Sequence, residues 1–408
     1  MEFFKVVSVE EGKEALLENF KDFEFQLEEV DIFKSHGRIL GEDIYSNENV
    51  PEFDRSSVDG YAIKASDSYG ASDSIPSILN IIGEVRMGEE TDLSLRSGQA
   101  VYVPTGGMIP EGADGMIMIE NTEKMDETTL LVNKPISQGE EMIFKGDDIK
   151  KDSLVLKKGR KVTPEVMGVL AALGIANVKV FKKPGFYIIS TGDEIIDMGQ
   201  ELTMGKIRDI NAYSLYGLIE KLGGQVVGKA IVRDDYQLLR DEVDKALNMA
   251  DIVLLSGGSS VGTRDYTYKV IDSFNGKGVF VHGVSIKPGK PTIMGEGMGK
   301  LIFGLPGHPV SSIVVFKTFL EYFISKKLGM DIVRPRLDAV MDFNFPSSPG
   351  KVTYQTVDLL EKEGAFYALP TFGKSGMITL LSDSQGYIVI EAHEEGIYKG
   401  EKREVYLL

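Results

Sequence analysis

Four short segments carry the residues best suited to chemistry, and each follows an apolar run. Thr191-Gly192-Asp193-Glu194 comes after GFYIIS, and Arg233-Asp234-Asp235 after GKAIV. Leu305-Pro306-Gly307-His308-Pro309 comes after KLIFG. The fourth, LSGGSSVGTRDYT at 255–267, holds Gly257, Gly258, Ser259, Ser260 and Asp265. Between the last two lies Lys287-Pro288-Gly289-Lys290-Pro291. Several carboxylates that converge without partners repel one another, and a divalent cation relieves that repulsion. Lysines nearby suit a phosphate or an oxyanion. A Gly-Ser loop offers backbone N–H groups to the same kind of ligand.

Taken singly, each segment also has an ordinary reading. Asp and Gly after a strand are common turn and cap residues. The 255–267 loop is open to three readings: a phosphate cradle, a serine nucleophile, or a bare turn. Gly258 to Gly262 fits G-x-S-x-G around Ser260, and His308 and His393 lie downstream. A nucleophile elbow needs a sharp strand-to-helix turn, whereas the helix here starts late, near Arg264, which counts against it. Gly295, Gly297 and Gly299 resemble part of a dinucleotide fingerprint, but they run from one strand-like segment into another and predict a hairpin. No G-x-x-x-x-G-K-[ST] phosphate loop occurs.

The surrounding pattern determines what these loops decorate. From about 184 the chain alternates strand and helix: GFYIIS, AYSLYGLIEKLGG, VVGKAIV, YQLLRDEVDKALNMA, the fully apolar DIVLLS, a helix over 266–274, KLIFGLP, and one long helix PVSSIVVFKTFLEYFISKKLG. This predicts a doubly wound α/β domain, whose ligands lie beyond the carboxyl ends of its strands. Residues 1–45 read as helices, over Val9 to Phe20 and Phe23 to Phe33. Short apolar runs between turns make 46–144 a β module, and Thr163-Pro164 starts a further helix that Gly174 stops. After Arg334-Pro335 the pattern is β again. The expected division is 1–45 with 145–180, an inserted module 46–144, an α/β domain 181–330, and a C-terminal β module 331–408.

Composition narrows the function. The chain has 408 residues, 42% hydrophobic and 26% charged, the profile of an ordinary multidomain globular protein. It has no cysteine, which excludes disulfides and thiolate chemistry, and four scattered histidines, which argue against a zinc enzyme. A net charge of −17 argues against nonspecific nucleic-acid binding. The acidic start lacks the pattern of a signal peptide, and no stretch reaches the roughly 20 apolar residues of a membrane span. A cytoplasmic protein is expected.

Three further motifs lie outside the α/β region: PEFDRSSVDGYAI (51–63), VYVPTGGMIPEGAD (101–114) and KGDDI (145–149). Taken with the loops above, they resemble the molybdopterin molybdenumtransferase family, the bacterial MoeA proteins and the E domain of gephyrin. RSSVDGYA, PTGG, GDDI, STGDE, VRDD, LLSGGSSVGTRDYT, IKPGKP and GLPGHPVSS occur in the family's order, and the resemblance spans essentially the whole chain.

That resemblance implies four domains: an elongated one from two chain segments, an inserted β domain, a doubly wound α/β domain of the molybdopterin-binding type, and a C-terminal β barrel. It implies an elongated homodimer with active sites at the subunit interface and, as a candidate protein partner, the molybdopterin adenylyltransferase. The implied reaction takes adenylylated molybdopterin and molybdate, cleaves the adenylate with Mg2+, and yields molybdenum cofactor and AMP. Catalytic positions of the family fall on Asp59, Thr105, Asp148, Glu194, Asp234, Asp265, Lys287 and Lys290. Glu194, Asp234 and Asp265 are expected to hold or orient around Mg2+. Thr191, Gly192, Gly257, Gly258, Ser259, Ser260, Pro306, Gly307 and Ser375 are expected to bind substrate. Asp59 and Thr105 would reach the site only across the dimer. Ile210 and His308 depart from the family pattern, which commonly has Ser and Asn there. The competing readings are a molybdopterin-binding scaffold and an adenylyltransferase-like protein of the same pathway.

Overall fold

The computed structural model describes residues 6–257 and 264–408. Its centre is a six-stranded sheet in the order Gln225–Val232, Gly185–Thr191, Ile252–Gly257, Lys300–Leu305, Ile293–Gly297, Gly278–His282. The first four strands are parallel; the last two are antiparallel. Helices cover both faces, so the middle strands are apolar throughout: Ile252 to Leu255 are all buried. The chain leaves Gly185–Thr191 in one direction to build Gln225–Val232 and returns on the other side to build Ile252–Gly257. The carboxyl ends of these strands therefore flank the topological switch point, where ligands bind in such sheets. The Gly295–Gly299 segment is a hairpin turn with Met298 and Gly299 at positive φ, as its strand-to-strand setting predicts.

The C-terminal strands Arg336–Met341, Val352–Lys362, Ala365–Pro370, Gly386–Ile390 and Lys402–Leu407 close into a barrel, because Val352–Lys362 pairs with both Ala365–Pro370 and Gly386–Ile390. A short strand of the α/β region, Ile286–Lys287, extends this sheet by pairing with Val352 and Thr353. A separate six-stranded sheet lies within residues 60–132 and has its own apolar clusters. Leu40 and Ile44 share a cluster with Leu156, Val166, Leu170 and Val180, so the segments before and after that sheet pack together. Among the described residues no helix is long and apolar enough to cross a membrane.

Two local expectations need correction. Residues 23–33, expected to be helical, form the strand Leu27–Asp31 and a short 3-10 turn at Ile32–Lys34. The strand pairs antiparallel with Asn177–Phe181, a partner about 150 residues away that no local periodicity reveals. The helix Val9–Asn19 does form, capped by Ser8 and Glu11, but its apolar face packs into the α/β core: Leu16 and Phe20 cluster with Phe186, Phe319 and Phe323. The segment expected to be one long helix from Pro309 is interrupted at Phe316–Leu320 by a π turn before resuming at Glu321–Leu328.

Candidate functional site

At the switch point Thr191 and Gly257 are register partners on adjacent parallel strands. Gly257 has φ +139°, and a Cβ built there would lie 2.2 Å from the Thr191 carbonyl oxygen, so the two backbones approach at a distance only glycine permits. Gly192 is also at positive φ, and a Cβ on it would meet the Glu194 carboxylate at 2.7 Å. Glycine there lets Glu194 fold back over the strand end.

The neighbouring loop divides its two aspartates. Asp235 caps the helix Tyr236–Met249 by accepting the Leu238 N–H at 2.9 Å, the ordinary role of such a residue. Asp234 is left over. Its Oδ1 is buried and has no hydrogen-bond partner among the described residues. Burial, followed by the charges of Asp193 and Glu194, pushes its carboxyl above the usual carboxylate range. The exposed carboxylates of Asp193 and Glu194 thus disfavour charge on the partly buried Asp234, a repulsion that a cation would reduce.

A basic half adjoins it. A cleft of about 710 Å³ opens between the end of Lys300–Leu305 and the barrel, lined by Lys287, Lys290, Pro306, Gly307, His308 and Ser375 among others. Gly289, between the two lysines, has φ +127°, and a Cβ there would come within 2.5 Å of Val315, so the lysine loop lies directly on the helix. His308 Nδ1 and Ser375 Oγ are 2.8 Å apart, and Val310 N donates to Ser375 O, tying the barrel to the helix start.

Asn211 joins the halves, and Asp209 anchors the segment that carries it. Asn211 donates from Nδ2 to Ser256 Oγ and to Gly307 O, both at 2.8 Å, and its Oδ1 is buried without a partner among the described residues. Asp209, 4% exposed, accepts from Ser190 Oγ and from the Ala212 N–H. Both are absent from the sequence-derived site; the polar Arg-Asp-x-Asn run opening a helix, together with the departure from the family pattern at Ile210 between them, is the signal that could have found them.

A family model described as "MoeA N-terminal region (domain I and II)" matches residues 7–174. "Probable molybdopterin binding domain" matches 187–326 and "MoeA C-terminal region (domain IV)" matches 338–408. A putative molybdopterin biosynthesis protein of Methanocaldococcus jannaschii is 36% identical over 401 residues, 96% of this chain and 95% of its own. The chain belongs to the MoeA family. A molybdopterin molybdenumtransferase of Staphylococcus aureus is 32% identical over 93% of this chain and 90% of its own. The solved structure of a molybdopterin biosynthesis MoeA protein from Pyrococcus horikosii superposes with TM-score 0.80 and 38% identity, covering 99% of each chain.

Within this MoeA-type fold the expected site residues fall into three groups. Thr191, Gly192, Glu194, Asp234 and Gly257 gather at the switch point, and Lys287, Lys290, Pro306, Gly307 and Ser375 line the cleft. Asp59 and Thr105 are brought together on the 60–132 sheet, where Asp59 Oδ1 accepts the Thr105 N–H at 2.8 Å. Among the described residues their hydrogen bonds stay within that sheet region, and Asp148 lies apart on an exposed turn following Lys145 and Gly146. Gly258, Ser259 and Ser260 lie outside the described residues. Asp265 occupies the first turn of the helix Arg264–Asp272, and its side chain is likewise outside them. Sequence reasoning also missed other parts of the cleft wall, among them Lys317, Lys351, Tyr354 and Tyr387.

Proposed function

We propose that the chain inserts molybdenum into adenylylated molybdopterin, consuming molybdate and releasing AMP and molybdenum cofactor in a Mg2+-dependent step. One observation carries this reading. An acidic group, in which Asp234 Oδ1 has no hydrogen-bond partner among the described residues, and a lysine-lined cleft meet at one sheet edge, joined by the Asn211 bridge to Gly307. That pairing suits a ligand that is anionic yet binds through a metal.

The residues fit Mg2+ in part. Glu194 and Asp234 are hard oxygen donors with unrelieved mutual charge. Among the described residues no group of three or more such side chains is placed to hold a metal on its own, so Asp265 is the proposed third donor. When bound, Mg2+ supplies charge neutralisation at the phosphoanhydride. Lys287 and Lys290 bind the phosphate and the oxyanion. Ser375 and His308 position the cleft's rim through their mutual hydrogen bond. Asp59 and Thr105 act on the partner's site in a cytoplasmic homodimer, and Asp148 is a further catalytic position; the hydrogen bond of Asp59 to Thr105, away from the switch point of their own chain, supports the first part. The molybdopterin adenylyltransferase is the proposed supplier of the substrate.

The deciding experiment mixes pure protein with adenylylated molybdopterin, molybdate and Mg2+ and measures AMP. Stoichiometric or greater AMP release that EDTA removes is the expected result. No AMP under these conditions would refute the reading.

A further inference from the structure

We propose that Lys317 is an anion-binding residue of the cleft, a cation that joins Lys287 and Lys290 in holding a tetrahedral anionic group of the ligand. The argument starts from the π turn. At Phe316–Leu320 the Glu321 N–H reaches back to Phe316 O, one residue further than in an α-helix. The carbonyl this displaces, Lys317 O, is taken by a side chain: Arg334 Nη2 donates to it at 2.8 Å, while Thr318 Oγ1 bonds back to Val314 O at 2.7 Å. The displaced carbonyl is thus satisfied, and Lys317 within this turn lies on the cleft wall.

Arg334 also settles the local charges. It takes the Glu321 carboxylate at 2.6 Å and donates to the Tyr387 hydroxyl at 3.3 Å. Glu321 is the acid nearest in sequence to Lys317, and it is already occupied. The Lys317 ammonium has no hydrogen bond or ion pair among the described residues and stands 5.9 Å from the centre of the Tyr387 ring. Burial, with repulsion from Lys221 and Arg334, lowers its pKa, and Glu321 opposes this only in part. A half-buried ammonium without a counter-ion is costly. An anion entering the cleft would remove that cost. The chain is strongly acidic, so retaining this cation without a counter-ion among the described residues at the wall of the cleft is a specific arrangement.

The identity of the anion, a phosphate of the adenylate or the metal oxyanion, rests on the transferase reading; the binding itself does not. The test is calorimetric titration of the full chain with inorganic phosphate and, separately, with molybdate. The variants are K317M, K317R and K326M. K326M removes the same charge from the following helix, outside this cleft. The wild type is expected to bind at least one anion. Loss of a charged contact should weaken that anion about tenfold or more in K317M, with K317R largely restored and K326M unchanged. Weakening confined to phosphate assigns the adenylate group to Lys317, and weakening confined to molybdate assigns the oxyanion. Unaltered affinities in a folded K317M, equal weakening in K326M, or no binding by the wild type would overturn the proposal. If K317M fails to fold, K317Q gives the same comparison. AMP release by the wild type is measured in parallel: its absence refutes the transferase reading and leaves the titration to decide Lys317.

Discussion

The Asn211 side-chain amide donates to the Gly307 carbonyl at 2.8 Å, and so fastens the acidic strand ends to the lysine-lined cleft. The same amide donates to Ser256 Oγ. Asn211→Ala leaves both acceptors short of a donor in a buried setting and is expected to cost about 1–3 kcal/mol of stability. Asn211→Asp should cost more, since it aims an acceptor at a carbonyl oxygen. Urea unfolding measures the first effect, and AMP release should fall in both variants. Wild-type values for both would show that the bridge is dispensable.

Gly257→Ala should be among the most damaging single-methyl changes in the chain. The new Cβ would overlap the Thr191 carbonyl, and φ of +139° is strained for any L side chain. A loss of about 1–3 kcal/mol or more is expected in denaturant unfolding. Gly350→Ala provides a comparison: its φ is also positive but nothing lies within 4 Å, so strain alone operates there.

Asp234 links stability to pH with a definite sign. Its folded pKa is raised, so the folded state holds the proton more tightly than the unfolded state does. Its contribution therefore falls as pH climbs from the ordinary carboxylate value through the raised one, and above that its charge destabilises the fold. Asp234→Asn should flatten that part of the stability–pH curve and raise the melting temperature at neutral pH, while lowering AMP release and its response to Mg2+. A lower melting temperature at pH 7 would contradict this account.

Asp197 behaves in the opposite way. It accepts from the Tyr213 hydroxyl at 2.7 Å, from Lys229 Nζ at 2.9 Å and from the Met198 N–H, and the Tyr213 bond leads in holding its carboxyl down to about 2. These contacts tie the segment that follows Glu194 to the helix Asn211–Leu222 and the strand Gln225–Val232. Their stabilising effect is present above the ordinary carboxylate value and is lost as pH falls towards 2. An NMR titration should find Asp197 still ionised at pH 3. A midpoint near 4 would mean that the three contacts do not persist in solution.

Asp265→Ala should reduce AMP release about a hundredfold or more while leaving the melting temperature near that of the wild type, as expected for a group that stabilises developing charge. Ser260→Ala should be far milder. Labelling of Ser260 by a fluorophosphonate would restore the nucleophile reading of the Gly-Ser loop.

Much of this protein was legible in its sequence because the signals are local. The alternation of apolar runs and helices from Gly185 onward gives the doubly wound sheet, and its strand ends locate Glu194, Asp234 and Gly257. Motif order over the whole chain gives the MoeA family. Other features depend on partners distant in sequence. Leu27–Asp31 is a strand because Asn177–Phe181 pairs with it. Asp235 caps a helix while its neighbour Asp234 keeps a buried oxygen without a partner among the described residues, a difference invisible in two adjacent identical letters. The π turn that carries Lys317 depends on Arg334, and the cleft exists only because the barrel docks against the lysine loop through Ile286–Lys287. Residue types and local spacing set which chemistry the chain carries. Burial and long-range pairing decide which of those charged groups are neutralised and which are left to meet a ligand.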